Sequence, residues 1–253
     1  MLFDCFTFYN EEHLLEYRLD LLKDIVDYFV IVEATHTHAG HPKPKNFDIT
    51  KFKDIEDRII YILVDDFPCK NVPLTSQQVW MNEKYQRNCI ARAFDTCQPD
   101  DYIIISDLDE IPDPETVLKI KNENMLVVGK FIQDLYYCNL ESFVSPGWDK
   151  SKILKYSYFC SSRMNCDTIR LNPNYVSIPR GGWHLSYFGS AEFIANKIKN
   201  FAHQEYNNPE YTDLTLINER ISSKKDLFDR NMPILEPNRD YLPPNFKMNL
   251  KKE

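Results

Sequence analysis

Four short apolar runs mark the first half of the chain: Leu2–Tyr9, Tyr28–Glu33, Ile59–Val64 and Tyr102–Ser106. Each is continuous rather than alternating, the pattern of a strand buried on both faces of a parallel sheet. Between the first two, Leu15, Leu19, Leu22 and Val26 fall at spacings of 4, 3 and 4, one apolar stripe of a helix. Asn10 precedes that stripe as a cap, with Glu11 and Glu12 in the positively polarised first turn. Thr75–Cys97 reads as a longer helical stretch, and Asp113 followed by Pro114 opens another in the favoured order of cap and first-position proline. Strands separated by helices predict an α/β fold whose N-terminal half is a Rossmann-like parallel sheet.

The pattern changes near Glu123. Short aromatic strands are expected around Leu126–Cys138, Ile153–Cys160 and Tyr175–Ser186, then helices over Ala191–Glu205 and Leu214–Arg230. Pro233, Pro237, Pro243 and Pro244 punctuate a tail expected to wrap the surface. No Gly/Ser/Pro linker separates the parts. The expectation is one domain over 1–253, with halves 1–123 and 124–232 and a tail 233–253.

Composition narrows the chemistry. The 253 residues hold 6 glycines against 15 prolines, and only Gly40 lies in the first 128 positions. A G-x-G-x-x-G turn and a P-loop both need several glycines in one short loop, so both are excluded. A net charge of −8 argues against nucleic acid as a partner. Seven scattered cysteines without a C-x-x-C pair read as reduced thiols. No signal peptide, no apolar stretch long enough for a membrane span and no N-x-S/T acceptor occur, which predicts a cytoplasmic or soluble protein without an anchor.

The candidate chemistry sits directly after the fourth run, at Asp107-Leu108-Asp109-Glu110. Side chains two apart on an extended segment point the same way, so Asp107 and Asp109 converge while Leu108 packs inward. Ligands of parallel α/β sheets bind beyond the carboxyl ends of strands. Two carboxylates there are hard oxygen ligands suited to Mn²⁺ or Mg²⁺, and such a cation neutralises a diphosphate leaving group. An EF-hand starting at Asp107 is excluded, because Pro112 and Leu118 stand where glycine and glutamate are required.

Several segments together resemble glycosyltransferase family 17: Asp4–Glu11, Val26–Thr35, Gly40–Pro44, Arg87-Asn88, Ser106–Pro112, Gly182–Tyr187 and Phe201–Glu205. The resemblance implies a GT-A-like fold, a nucleotide-sugar donor, specifically UDP-N-acetylglucosamine, a glycan acceptor, a divalent metal and inversion at the anomeric carbon. It makes 1–123 the nucleotide-sugar half and 124–232 the acceptor side. It places Asn10 and Glu11 near the nucleobase, and Arg87 and Asn88 with Asp107 at the donor. Glu33, ending the second run, suits ribose hydroxyls. His184 or His203 would complete the metal site begun by Asp107 and Asp109, and Trp183 and Tyr187 would stack on the acceptor. Glu192, at the start of a late helix, is the expected base, ahead of Asp149 and Glu110. Gly181, Gly182 and Gly189 are expected to admit a sugar. His36, His38 and His41 lack a companion ligand and read as a polar rim. Rival readings are a nucleotidyltransferase, which would want a glycine- and lysine-rich loop near the first strand, and a non-catalytic sugar-binding module.

Overall fold

The computed structural model describes residues 1–230 and 232–247. In chain order the elements are β1 (Leu2–Phe8), α1 (Glu12–Leu22), β2 (Tyr28–Ala34), β3 (Ile59–Val64), α2 (Ser76–Asn88), β4 (Tyr102–Asp107), β5 (Glu110–Pro112), α3 (Pro114–Glu123), β6 (Val128–Phe131), β7 (Gln133–Tyr137), β8 (Phe143–Trp148), β9 (Lys152–Lys155), α4 (Tyr156–Ser162), α5 (Cys166–Leu171), β10 (Val176–Ile178), β11 (Gly182–Ser186), α6 (Ala191–Asn200), α7 (Pro209–Thr212) and α8 (Leu214–Ser222). Short 3-10 turns follow α2 and α6 and precede β3.

A seven-stranded sheet runs in the order β10-β6-β9-β4-β1-β2-β3. Its four N-terminal strands are mutually parallel, and β9 is antiparallel to both β4 and β6. The expected division at residue 123 therefore falls between strands of one sheet. Alternation sets the layers. Phe6 and Phe8 of β1, Phe29 and Ile31 of β2 and Ile104 of β4 pack on Leu14, Leu15, Leu19 and Leu22 of α1. Phe3 and Cys5, Val30 and Val32, and Ile103 and Ile105 face the opposite layer with Ile90, Phe94 and Ile169. Each fully buried side chain of this size contributes about 1.5–3 kcal/mol.

A second sheet, β5-β11-β7-β8, takes β5 from the first half and its other three strands from the later half, and joins the first sheet at the Asp107–Glu110 turn. The two sheets explain the glycine pair. At Gly182 φ is +112°, and a side chain would meet the Ile111 carbonyl oxygen at 2.1 Å. Gly189 abuts the Phe193 ring. Backbone and ring packing alone already require these glycines.

Other expectations are corrected. Glu11, not Asn10, occupies the N-cap of α1, and no side chain caps it. Ile153–Cys160 is not one strand, because the chain leaves β9 at Lys155 and coils into α4. Its aromatic residues suit a strand, but Tyr156 and Phe159 instead pack edge-on against Phe94. Thr75–Cys97 divides into α2 and a 3-10 turn, and Leu214–Arg230 holds a helix only to Ser222. The proline tail docks over the second sheet, where Leu235 pairs with Phe143 and Tyr241 lies against Trp183.

Candidate active site

Beyond the carboxyl ends of β1, β2 and β4 lies a cleft of about 390 Å³. Its floor is the turn from Asp107 to Asp109, and Leu108 points into the core as its apolar character requires. The turn is held from behind by Arg18, which is fully buried. Its Nε and Nη2 donate to Asp4 at 2.8 and 2.6 Å, and Nη2 also reaches Ser106 Oγ at 2.7 Å. Its Nη1 donates to the carbonyls of Asp107, Leu108 and Glu110 at 2.9, 3.0 and 3.1 Å. Every donor of that guanidinium is used.

In front of the turn the charges form a linked network. Asp107 accepts from Arg87 at 3.1 Å and from Arg170 of α5 at 2.6 Å. Arg87 also holds Glu83 and Asp167 at 2.9 and 2.6 Å. Arg170 also holds the buried Glu110 at 2.5 Å, and Glu110 accepts from Trp148 Nε1 at 2.6 Å. Asp109 pairs with Lys197 of α6 at 3.1 Å and faces His184 Nε2 at 3.5 Å, while Lys197 bridges to Glu11 at 3.1 Å.

Burial pushes both aspartates up, but the cations outweigh it: Arg170 and Arg87 lower Asp107, and Lys197 and His184 hold Asp109 far below the usual carboxylate range. Burial likewise opposes the charge on Lys197, yet Asp109 and Glu11 raise it well above an ordinary lysine. All three are ionised at neutral pH.

The network is not neutral. Among the described residues, Glu11, Glu83, Asp107, Asp109, Glu110 and Asp167 form ion pairs only with Arg87, Arg170 and Lys197 as fixed cations. Several polar atoms also lack partners among the described residues: the Nε atoms of Arg87 and Arg170 and Nδ1 of His184 are buried without a hydrogen bond. Such an excess of carboxylate suits a divalent cation. Among the described residues no group of three or more His, Cys, Asp or Glu is gathered as a ready metal cage. Two aspartates with ligand oxygens and water completing the shell is the arrangement that fits Mg²⁺ or Mn²⁺.

The other expected residues divide. Glu11, Arg87, Asp107, Asp109, His184, Tyr187 and His203 line the cleft together. His203 is exposed at the rim, paired with Glu205 at 2.7 Å and edge-on to Trp80, apart from the aspartates' network. Asn88 reaches the cleft through Asp167, whose N–H it accepts at 3.0 Å. Asn10 contacts Asn196 at 3.4 Å beside the cleft. Glu33 is buried and outside the lining, saturated by Lys43, Tyr61 and the backbone of Asn46 and Phe47; Lys43 itself does line it. Trp183 is buried against Tyr241, and Glu192 is exposed on the first turn of α6; neither lines the cleft.

Sequence reasoning missed Arg18, Arg170, Lys197, Glu83 and Trp148. Arg18 had a signal: it falls on the apolar stripe of α1, where a charge demands a buried partner. The others have none, because they join the network from four separate elements, Arg170 and Lys197 on the aspartates themselves, Glu83 through Arg87 and Trp148 through Glu110.

A family profile described as Glycosyltransferase family 17 matches residues 1–234. The chain is 34% identical over 120 residues to proteins named beta-1,4-mannosyl-glycoprotein 4-beta-N-acetylglucosaminyltransferase from Homo sapiens and Rattus norvegicus. Each alignment covers 44% of this chain and 22% of the relative, so the match spans about a fifth of the length of those relatives.

Proposed function

The chain belongs to glycosyltransferase family 17, and on that premise we propose that it transfers N-acetylglucosamine from a UDP-sugar to a β-mannosyl glycan, with a divalent metal and inversion at the anomeric carbon. The transferred sugar and the mannosyl acceptor come from the names of its relatives, and UDP as the carrier from the family resemblance. The observation that carries the reading is the pair Asp107 and Asp109 at the mouth of a cleft rich in unbalanced carboxylate. The parallel order β4-β1-β2-β3, with its acidic turn at the end of β4, supports a GT-A-like nucleotide half.

In this reading Asp107 and Asp109 hold Mn²⁺ or Mg²⁺, which when bound neutralises charge on the departing diphosphate. Lys197 and Arg87 add fixed positive charge on either side of that position. Tyr9, Glu11 and Lys43 face the nucleoside, Lys43 being oriented by Glu33. Trp148 lies against His184 with ring centroids 4.4 Å apart and forms a wall beside the transferred sugar. Tyr187 lies beneath Lys197 and closes the floor on the acceptor side.

Calorimetry with UDP in the presence and absence of Mn²⁺, together with UDP release from UDP-N-acetylglucosamine, tests this. Mn²⁺-dependent UDP binding and its loss in Asp109→Ala are expected. No affinity for any UDP-sugar, or release unchanged in Asp109→Ala, overturns it.

A further inference from the structure

An inverting transfer needs a carboxylate that removes the proton of the attacking hydroxyl. That carboxylate must line the cleft, keep an oxygen free and be reachable from solvent. Asp107 and Asp109 are the metal pair of the proposed reading, and the cations Arg87, Arg170 and Lys197 already lie against them. Glu11 is engaged by Lys197 and by the N–H groups of Tyr9 and Asn10. Glu110 is engaged by Arg170, Trp148 and the N–H of Asp107. Glu192 stands outside the lining. Outside the aspartate pair, two carboxylates of the network keep an oxygen with neither a hydrogen bond nor a Lys or Arg partner among the described residues: Glu83 and Asp167, whose other oxygens accept from Arg87. The Glu83 side chain is 21% exposed and that of Asp167 9%.

The surroundings of Glu83 decide between them. Its free Oε2 faces His38 Nδ1 at 4.0 Å. Gln86 Nε2 donates to the Val32 carbonyl at 2.9 Å, so Gln86 Oε1 is the atom that meets His38 Nε2 at 2.8 Å. His38 Nε2 is thus turned to Gln86, and Nδ1 is the ring atom turned to the free oxygen of Glu83. Trp80, one turn before Glu83 on α2, also lines the cleft, so helical spacing sets an aromatic ring beside the free carboxylate and Arg87 beyond it. A flat apolar face beside a hydrogen-bond acceptor is the chemistry that holds a pyranose ring.

We infer that this face of α2 is the acceptor-sugar subsite, with Trp80 as its stacking platform and Glu83 as the general base. The inference rests on the transferase reading above. The acceptor hydroxyl oxygen forms the bond to the anomeric carbon as the bond from that carbon to the phosphate oxygen breaks. The bonding pair leaves with the diphosphate, and the hydroxyl proton passes to Glu83 Oε2.

The experiment measures UDP release from UDP-N-acetylglucosamine with Mn²⁺, in water and with methyl β-D-mannopyranoside, alongside UDP affinity by calorimetry. Glu83→Gln keeps an oxygen for Arg87 and is expected to lower release at least ~100-fold, with UDP affinity within about twofold of wild type. Trp80→Ala is expected to raise the KM for the mannoside ~10-fold with the donor KM unchanged. Release by Glu83→Gln within about threefold of wild type, or a larger loss in Asp167→Asn, overturns the assignment of the base. An unchanged mannoside KM in Trp80→Ala overturns the platform. If wild type neither binds UDP nor releases it, the transferase reading falls instead, and the two failures are told apart by the calorimetry.

Discussion

The turn from Asp107 to Glu110 has an ionic cluster on each side, and the two are built on opposite terms. Behind it, Arg18 and Asp4 form a one-to-one pair, fully buried, with every guanidinium donor satisfied. In front, six carboxylates share three fixed cations, and buried nitrogens of Arg87, Arg170 and His184 lack partners. A closed, neutral cluster is complete without a ligand. An open, unbalanced one is complete only with one, and this distinguishes scaffold from site more sharply than burial does, since both are largely removed from solvent.

Replacing charges on either side tests that contrast. The largest effect on stability is expected behind the turn. Arg18→Met strands Asp4 and three carbonyls and costs about 3–5 kcal/mol. A denaturant titration showing less than ~1 kcal/mol would mean the rear cluster is dispensable. In front, the loss moves from folding to ligand. UDP with Mn²⁺ at roughly 100 times Kd stabilises wild type by about 2.7 kcal/mol, and Asp107→Asn is expected to abolish that gain while shifting the ligand-free melting temperature little. Equal ligand-induced shifts in the two proteins would remove Asp107 from the site.

Asp134 offers a smaller effect with a definite sign. It is buried on β7, and burial, opposed by Arg180, raises its carboxyl to about 6. The folded state therefore holds this proton more tightly than the unfolded one, so stability falls as pH rises from about 4 through 6. Asp134→Asn is expected to gain about 2 kcal/mol at pH 7 and almost nothing at pH 4. Guanidinium melts at both values check it, and a gain independent of pH would refute the cause. Smallest of all, Lys84→Ala at the exposed rim is expected to change stability by less than ~0.5 kcal/mol, and its UDP affinity shows whether the rim lysine adds to the field of the cleft.

The same contrast explains what could be read from the chain alone. The four parallel strands were legible because burial on both faces writes a continuous apolar run, and α3 because Asp113 and Pro114 are local signals. Asp107 and Asp109 were legible as a spacing. Their partners were not. Arg170 and Lys197 reach the turn from α5 and α6, 63 and 88 residues away in the chain. Long-range ion pairs have no period, so only the fold can show them. The aromatic residues of α4 misled because the propensity for strands is a weak preference that packing overrides.

Arg18 grips main-chain carbonyls of the turn, not its acidic side chains. Every residue type carries a carbonyl, so the shape of the loop is insured separately from its chemistry. Randomising 107 and 109 in a library should then sample new reactivities on an unchanged backbone, which makes this turn a favourable place for laboratory evolution to begin.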